Sequence, residues 1–291
     1  MRSFKLQLGL IACVALAYPA WVALRAYRDE RRCFLPNHHE PRHGLADFAI
    51  PGLRDVSFRT PAGTTLRGVF APPHNGATVI LTHGSLGERS DLMLEARLLG
   101  SAGFGVLAFD WPGHGQSEGG IEWGAGERSA LTSALDWLSA QPGVDAARIG
   151  AFGFSMGGHT VTQVAAQDPR LRAVAIAGTP PDPLVHLQWE YRQLGPISRW
   201  PARLALVVSG MKTSEQIPER VIAKISPRPV LLIAGKDDEL VPTWMTERLF
   251  AAAREPKSLM LVPKAGHGGY ADASPAEYSQ GLVRFFEALT R

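Results

Sequence analysis

Six short apolar runs recur along this chain: Thr78–Leu81, Gly105–Phe109, Arg148–Phe152, Ala173–Ala177, Val230–Ala234 and Ser258–Val262. A strand that is apolar at nearly every position must be covered on both faces, since a half-solvated strand would alternate. Strands of this kind joined by helices build an α/β fold, a mainly parallel sheet with helices on both sides. The intervening helices carry their own period, as in Leu131, Ala134, Leu135 and Leu138, or Tyr278, Leu282, Phe285, Phe286 and Leu289. Ser274, Pro275 and Glu277 give the last of them a capping-box start. Ahead of the parallel strands, Asp55–Arg59 and Thr65–Phe70 flank the turn Pro61, Ala62, Gly63 and read as an antiparallel hairpin.

One interval breaks the alternation. Residues 179–228 are too long for an ordinary connection and are rich in proline and apolar residues, which predicts an inserted lid within a domain spanning 51–291. The insertion leaves and rejoins the sheet at its carboxyl edge, where ligands of open α/β sheets bind. Trp189 and Trp200 within it are candidate substrate-binding residues for an acyl pocket.

Residues 1–26 form a separate segment. From Leu6 to Leu24 the chain has no charge and one amide, Gln7, close to the roughly 20 residues a helix needs to cross hydrocarbon. The expectation is a membrane anchor with a single span, residues 27–50 forming a juxtamembrane linker. A cleaved signal peptide, processed after Ala15, Leu16 and Ala17 and leaving an exported enzyme, is the alternative. Arg25, Arg28, Arg31 and Arg32 leave the side of the membrane open. His38, His39 and His43 in the linker lack a carboxylate or cysteine at ligand spacing, so no metal site is expected.

Charge excludes another class of partner. The chain carries 30 Lys/Arg against 27 Asp/Glu, and seven of those cations stand in residues 1–45 beside only three acids. The body is thus nearly neutral, and a nucleic-acid-binding surface, which needs clustered cations on the folded domain, is not expected. Two cysteines, Cys13 and Cys33, exclude a disulfide scaffold and lie outside the predicted domain body.

Gly153, Phe154, Ser155, Met156 and Gly157 follow a predicted strand and precede a helical stretch, the context of a nucleophile elbow. A serine at so sharp a turn needs small residues two before and two after it. Its hydroxyl is a poor nucleophile until a base removes the proton, so a histidine oriented by a carboxylate is required. His267 follows the last predicted strand, and Asp237 and Asp238 follow the strand before it. The order Ser155, Asp238, His267 is the one this topology predicts. His83, His114 and His159 read as packing or rim residues rather than a second base.

These motifs resemble the α/β hydrolase superfamily over about residues 53–291. Thr82–Ser85 is similar to the family's HG turn, and Asp110–Gly119 to its DxRGxGxS loop, with Pro112 where arginine is frequent. Gly235, Asp238, Val241 and Pro242 fall in the family frame around the acid, which places Asp238 ahead of Asp237. The resemblance implies an oxyanion hole from the backbone N–H groups of Met156 and Ser85. It is strongest to the esterase, monoacylglycerol-lipase-like and serine aminopeptidase-like branch. It implies cofactor-free hydrolysis of an ester, thioester or amide through an acyl-enzyme, on small acyl substrates that include lipids. A catalytically silent fold serving as a binding or scaffold module at the membrane is the competing function.

Overall fold

The computed structural model describes residues 2–290, with side chains from residue 17 onward. Eight strands form one sheet: β1 (Arg54–Arg59), β2 (Thr65–Ala71), β3 (Thr78–Thr82), β4 (Gly105–Phe109), β5 (Ile149–Phe154), β6 (Leu171–Ala177), β7 (Val230–Gly235) and β8 (Lys257–Val262). Their spatial order is β1-β2-β4-β3-β5-β6-β7-β8. β2 runs antiparallel to both its neighbours, and every other pairing is parallel. The hairpin and all six apolar runs are strands, giving the α/β class expected from them.

The main helices are α1 (Arg2–Arg32), α2 (Met93–Ser101), α3 (Ala125–Ser139), α4 (Met156–Ala165), α5 (Pro183–Glu190), α6 (Pro196–Val208), α7 (Thr243–Ala252) and α8 (Pro275–Phe286). Of these, α2, α3, α4, α7 and α8 flank the sheet, whereas α1, α5 and α6 pack together in a separate cluster. One core joins Ile80 and Leu107 to Leu131, Val161 and Leu249 of α3, α4 and α7. The opposite core joins Val79 and Val106 to Leu99, Leu282 and Phe286 of α2 and α8. Consecutive strand residues therefore bury on opposite faces, which is why the strands are apolar throughout. The capping box at α8 does not form. Ser274 precedes Pro275 as expected, but its hydroxyl bonds the Glu277 carboxylate (3.3 Å) and caps no backbone N–H.

The N-terminal segment departs from expectation. Among the described residues no helix is long and apolar enough to cross a membrane, so a single span over Leu6–Leu24 is not supported. Residues 6–16 of that run lie outside those whose side chains are described. The following turns of α1 pack on the lid: Val22 and Ala26 are buried, and Ala26 joins Leu187, Ala202 and Leu206 in a third apolar cluster. Tyr191 donates its hydroxyl to the Ala26 carbonyl (3.3 Å).

Residues 27–50 are docked rather than free. Asn37 and His38 pair in parallel with His114 and Gly115, and the Asn37 side chain donates to the Leu86 carbonyl (2.9 Å). Phe48 is buried in the core beneath α2. Local polarity suggested a solvated linker, but these ties are made across distances in sequence that no local pattern records.

The structure also answers the substitution at Pro112. Asp110, wholly buried, is paired by the Arg89 guanidinium, which comes from the chain after β3 instead of from the Asp110 loop itself. The same carboxylate accepts from the backbone N–H of Arg89 (2.7 Å) and Gln116 (3.0 Å). A buried charge must be paired and hydrogen-bonded to be tolerated. Here a different segment supplies the cation.

Candidate active site

β3 lies between β4 and β5, so the chain leaves β3 toward one edge of the sheet and later returns on its other side. Such a reversal opens a crevice at the carboxyl ends of the two strands. Gly84 and Ser85 follow β3, and Ser155 follows β5, so these residues flank the crevice.

Ser155 occupies the bend between β5 and α4 with φ 52° and ψ −115°, a positive φ unusual for any residue but glycine. Its N–H is held by the Ala177 carbonyl (2.8 Å), and its carbonyl accepts from the Thr179 hydroxyl (3.1 Å). The glycines show why the turn can close. A Cβ on Gly157 would collide with the Thr82 carbonyl oxygen, and one on Gly153 would stand 2.5 Å from the Gly158 Cα. Gly158, which the five-residue motif does not include, is equally constrained, because a Cβ there would strike the Thr179 hydroxyl.

His267 lies between Ser155 and Asp238. Its Nε2 is 3.2 Å from Ser155 Oγ, and its Nδ1 is 2.8 Å from Asp238 Oδ2. The other carboxylate oxygen of Asp238 accepts the backbone N–H of Leu240 (2.9 Å) and Val241 (2.8 Å). Those two bonds fix the carboxylate so that only one oxygen faces the imidazole. Asp237, the neighbouring candidate, is exposed and takes no part. The Phe154 ring packs on the other side of His267, with centroids 4.9 Å apart. With Nδ1–H donating to Asp238, Nε2 is free to accept a proton from Ser155. This arrangement can activate a hydroxyl.

Ser155 and His267 open into a cavity of about 330 Å³ that Ser85 and Met156 also line. Met156 is the first residue of α4, where helical N–H groups have no intrahelical partner. The remaining wall is mostly apolar, with Leu187, Leu206 and Met211 from the lid, Trp123 beside α3, and Phe34 beyond α1. Among the described residues no group of three or more His, Cys, Asp or Glu is arranged to hold a metal ion.

The two tryptophans proposed as substrate contacts do not line the cavity. Trp200 is 80% exposed. Trp189 donates its indole N–H to the Glu239 carbonyl (2.8 Å) and stacks edge-on with Trp244, outside the cavity wall. On α6 the larger apolar residues Ile197, Trp200, Leu204 and Val207 face outward, and the buried side is Ser198, Ala202, Ala205 and Leu206, so apolar size does not reveal which side turns inward.

Several cavity residues had no sequence signal. Asp29, Glu30 and Cys33 line it from the end of α1 and just beyond, so Cys33 belongs to the site and not to a separate segment. Burial and the nearby Glu190 raise the Glu30 carboxyl to about 8. His186 of α5 also lines the cavity, and burial beside His267 lowers it to about 4. His83 and His159 are tied to the backbone, and His159 also lines the cavity. His83 bonds Gly84 O (2.7 Å) and accepts the Trp111 N–H (3.2 Å), while His159 bonds Gln216 O (2.7 Å). Burial holds both below the ordinary histidine range, His159 at about 4, so neither carries charge near neutrality.

Comparison with known proteins agrees with this architecture. The prolyl oligopeptidase family matches residues 90–291. The chain is 33% identical over 263 residues to the uncharacterized protein Rv2307c of Mycobacterium tuberculosis H37Rv, covering 89% of this chain and 88% of that one. It is 31% identical over 240 residues to YfhR of Escherichia coli K12, covering 79% of each. Among solved structures, the Pyrococcus furiosus esterase Pf2001 superposes with a TM-score of 0.74 at 21% identity, covering 88% of this chain and 97% of that one. The α/β hydrolase GrgF from Penicillium sp. sh18 superposes at 0.69 with 22% identity, covering 82% and 99%. The elbow, the strand order and these matches lead to one assignment: the chain belongs to the prolyl oligopeptidase family and is a serine hydrolase of the α/β hydrolase superfamily.

Proposed function

We propose that the chain hydrolyses carboxylic esters bearing a hydrophobic acyl group, through an acyl-enzyme on Ser155. His267 Nε2 takes the hydroxyl proton as Ser155 Oγ attacks the carbonyl carbon, and Asp238 holds the imidazole in the tautomer that accepts it. The backbone N–H groups of Ser85 and Met156 face the oxyanion that develops. His267 then returns the proton to the leaving alcohol, and a water activated the same way releases the acid. The observation that carries this reading is the single imidazole bonded at once to Ser155 Oγ and to a buried, backbone-fixed carboxylate.

The cavity favours an ester with an acyl chain of limited length. Its volume of about 330 Å³ lies near the low end of ligand pockets, about 300–1,000 Å³, and its walls are mainly apolar. The lid helices α5 and α6 supply much of that wall, so the insertion sets the acyl preference.

The test pairs a fluorophosphonate probe with p-nitrophenyl esters from acetyl to palmitoyl. Wild type labels at Ser155, Ser155→Ala does not, and turnover peaks at an intermediate chain length. Folded wild-type protein that neither labels nor turns over any ester would leave the silent binding module as the better reading. Labelling without ester turnover would redirect the assignment to amides.

A further inference from the structure

The large apolar residues left exposed on this protein are concentrated on two helices. On α6, Ile197, Trp200, Leu204 and Val207 are each at least half exposed and repeat at helical spacing. The opposite side of α6, Ala202, Ala205 and Leu206, is buried. Beside it, α1 presents Tyr18 and Trp21 outward, stacked with centroids 6.2 Å apart, while its Ala26 packs with Ala202 and Leu206. Helix faces that leave several large apolar residues in the open mark interaction surfaces.

The charges around this face identify the partner. Within α6 the only charged residues are the cations Arg199 and Arg203, whereas Arg192 lies over the Trp189 ring and Lys212 pairs with Glu215 (3.6 Å). Arg199 and Arg203 are exposed on α6 itself, on the flank of the apolar stripe. On α1, Arg25 lies over the Trp21 ring (5.4 Å), and exposed Arg28 follows one turn later. Its carboxylate partner Asp29, 3.5 Å from Arg25, is the one exposed acid on the described part of α1. Apolar and aromatic residues bordered by arginine are the composition of a helix lying in the headgroup region of an anionic bilayer. Leu24, the last residue of the charge-free run, is exposed on α1 as well.

We propose that the outer faces of α1 and α6 seat the protein on an anionic phospholipid surface, lying along the headgroups without crossing the bilayer. The inner sides of the same elements carry the cavity residues Glu30 and Leu206. Docking therefore brings the roof of the cavity against the lipid. The proposal concerns binding alone, so its test does not depend on ester turnover.

The full-length chain is mixed with vesicles of brominated phosphatidylcholine, alone or with phosphatidylglycerol, and tryptophan quenching is read for wild type and Trp200→Phe. The expected result is quenching that grows with phosphatidylglycerol, falls with added salt, and loses its largest component in Trp200→Phe. Arg199→Gln and Arg203→Gln each weaken binding to the anionic vesicles about fivefold. Identical quenching of wild type and Trp200→Phe by both vesicle types overturns the proposal. Equal binding to neutral and anionic vesicles overturns its electrostatic half. A dimer in solution that Trp200→Ser dissociates, with no vesicle contact, assigns the face to a second copy of the chain instead.

Discussion

The floor and the roof of the cavity are built by different rules. On the floor, Ser155 is held by backbone packing so tight that Gly153, Gly157 and Gly158 admit no Cβ, and Asp238 is pinned by two backbone N–H groups. On the roof, α1, α5 and α6 meet through small and apolar residues such as Ala26, Ala202 and Leu206, with few polar ties such as Tyr191 to Ala26. The floor positions atoms by contact with main chain, which side-chain substitution cannot relax. The roof fills volume, and volume can be traded among side chains. Chemistry should thus respond to floor changes and substrate choice to roof changes.

The sharpest way to break that contrast is at the acid. Asp238→Asn should lower kcat by about 10⁴-fold, the order found when a serine-protease triad loses its carboxylate, while exposed Asp237→Asn leaves turnover near normal. A reversed pattern in steady-state kinetics would move the orienting role to Asp237. Next is the support beneath the floor. Arg89→Met strands the buried Asp110 carboxylate and should cost about 3–5 kcal/mol in urea unfolding, because an uncompensated buried charge remains.

Changes to the roof should read out differently. Phe34→Ala enlarges the cavity from its N-terminal side and should shift the best p-nitrophenyl ester to a longer chain, each accommodated methylene contributing about 0.8 kcal/mol, roughly fourfold in kcat/KM. Trp189→Ala, which alters no cavity wall, should leave the profile where it was. If both variants keep the wild-type profile, the roof does not select.

A further effect on the roof lies in pH. A carboxyl whose folded value is raised, as for Glu30 from 4.5 to about 8, favours the folded state most below 4.5 and progressively less as pH rises toward 8. Glu30→Gln should therefore gain stability over wild type between those limits, the difference vanishing in acid, as measured by thermal unfolding across the range. A constant offset at every pH would mean that Glu30 is already ionised in the folded protein.

The same contrast explains what could be read from sequence. Ser155 and His267 were legible because a strained turn demands glycine at fixed offsets and because loops after parallel strands converge on one edge. Asp238 was separable from Asp237 by its place in the frame ending at Val241 and Pro242. Gly158 was missed because its constraint comes from Thr179, a residue of the next loop. The roof was read poorly for a physical reason. Trp200 sits on the side of α6 that carries the larger apolar residues, yet the side covered by α1 is the one with Ala202 and Leu206, so apolar size points the wrong way. Arg89 was hidden in the same way: the Asp110 loop announced a missing arginine at Pro112, but nothing local said that the segment after β3 would supply it.

The tie between Asn37 and Leu86 bears on how such enzymes are prepared and screened. A chain trimmed to begin at residue 51 keeps Ser155, Asp238 and His267. It loses Glu30, Cys33 and Phe34, together with the strap that steadies the loop holding Ser85. Such a fragment would keep the proposed triad in a cavity with one wall removed. The substrates it prefers would describe an open trench, and an inhibitor selected against it would be fitted to a shape that the intact enzyme never offers.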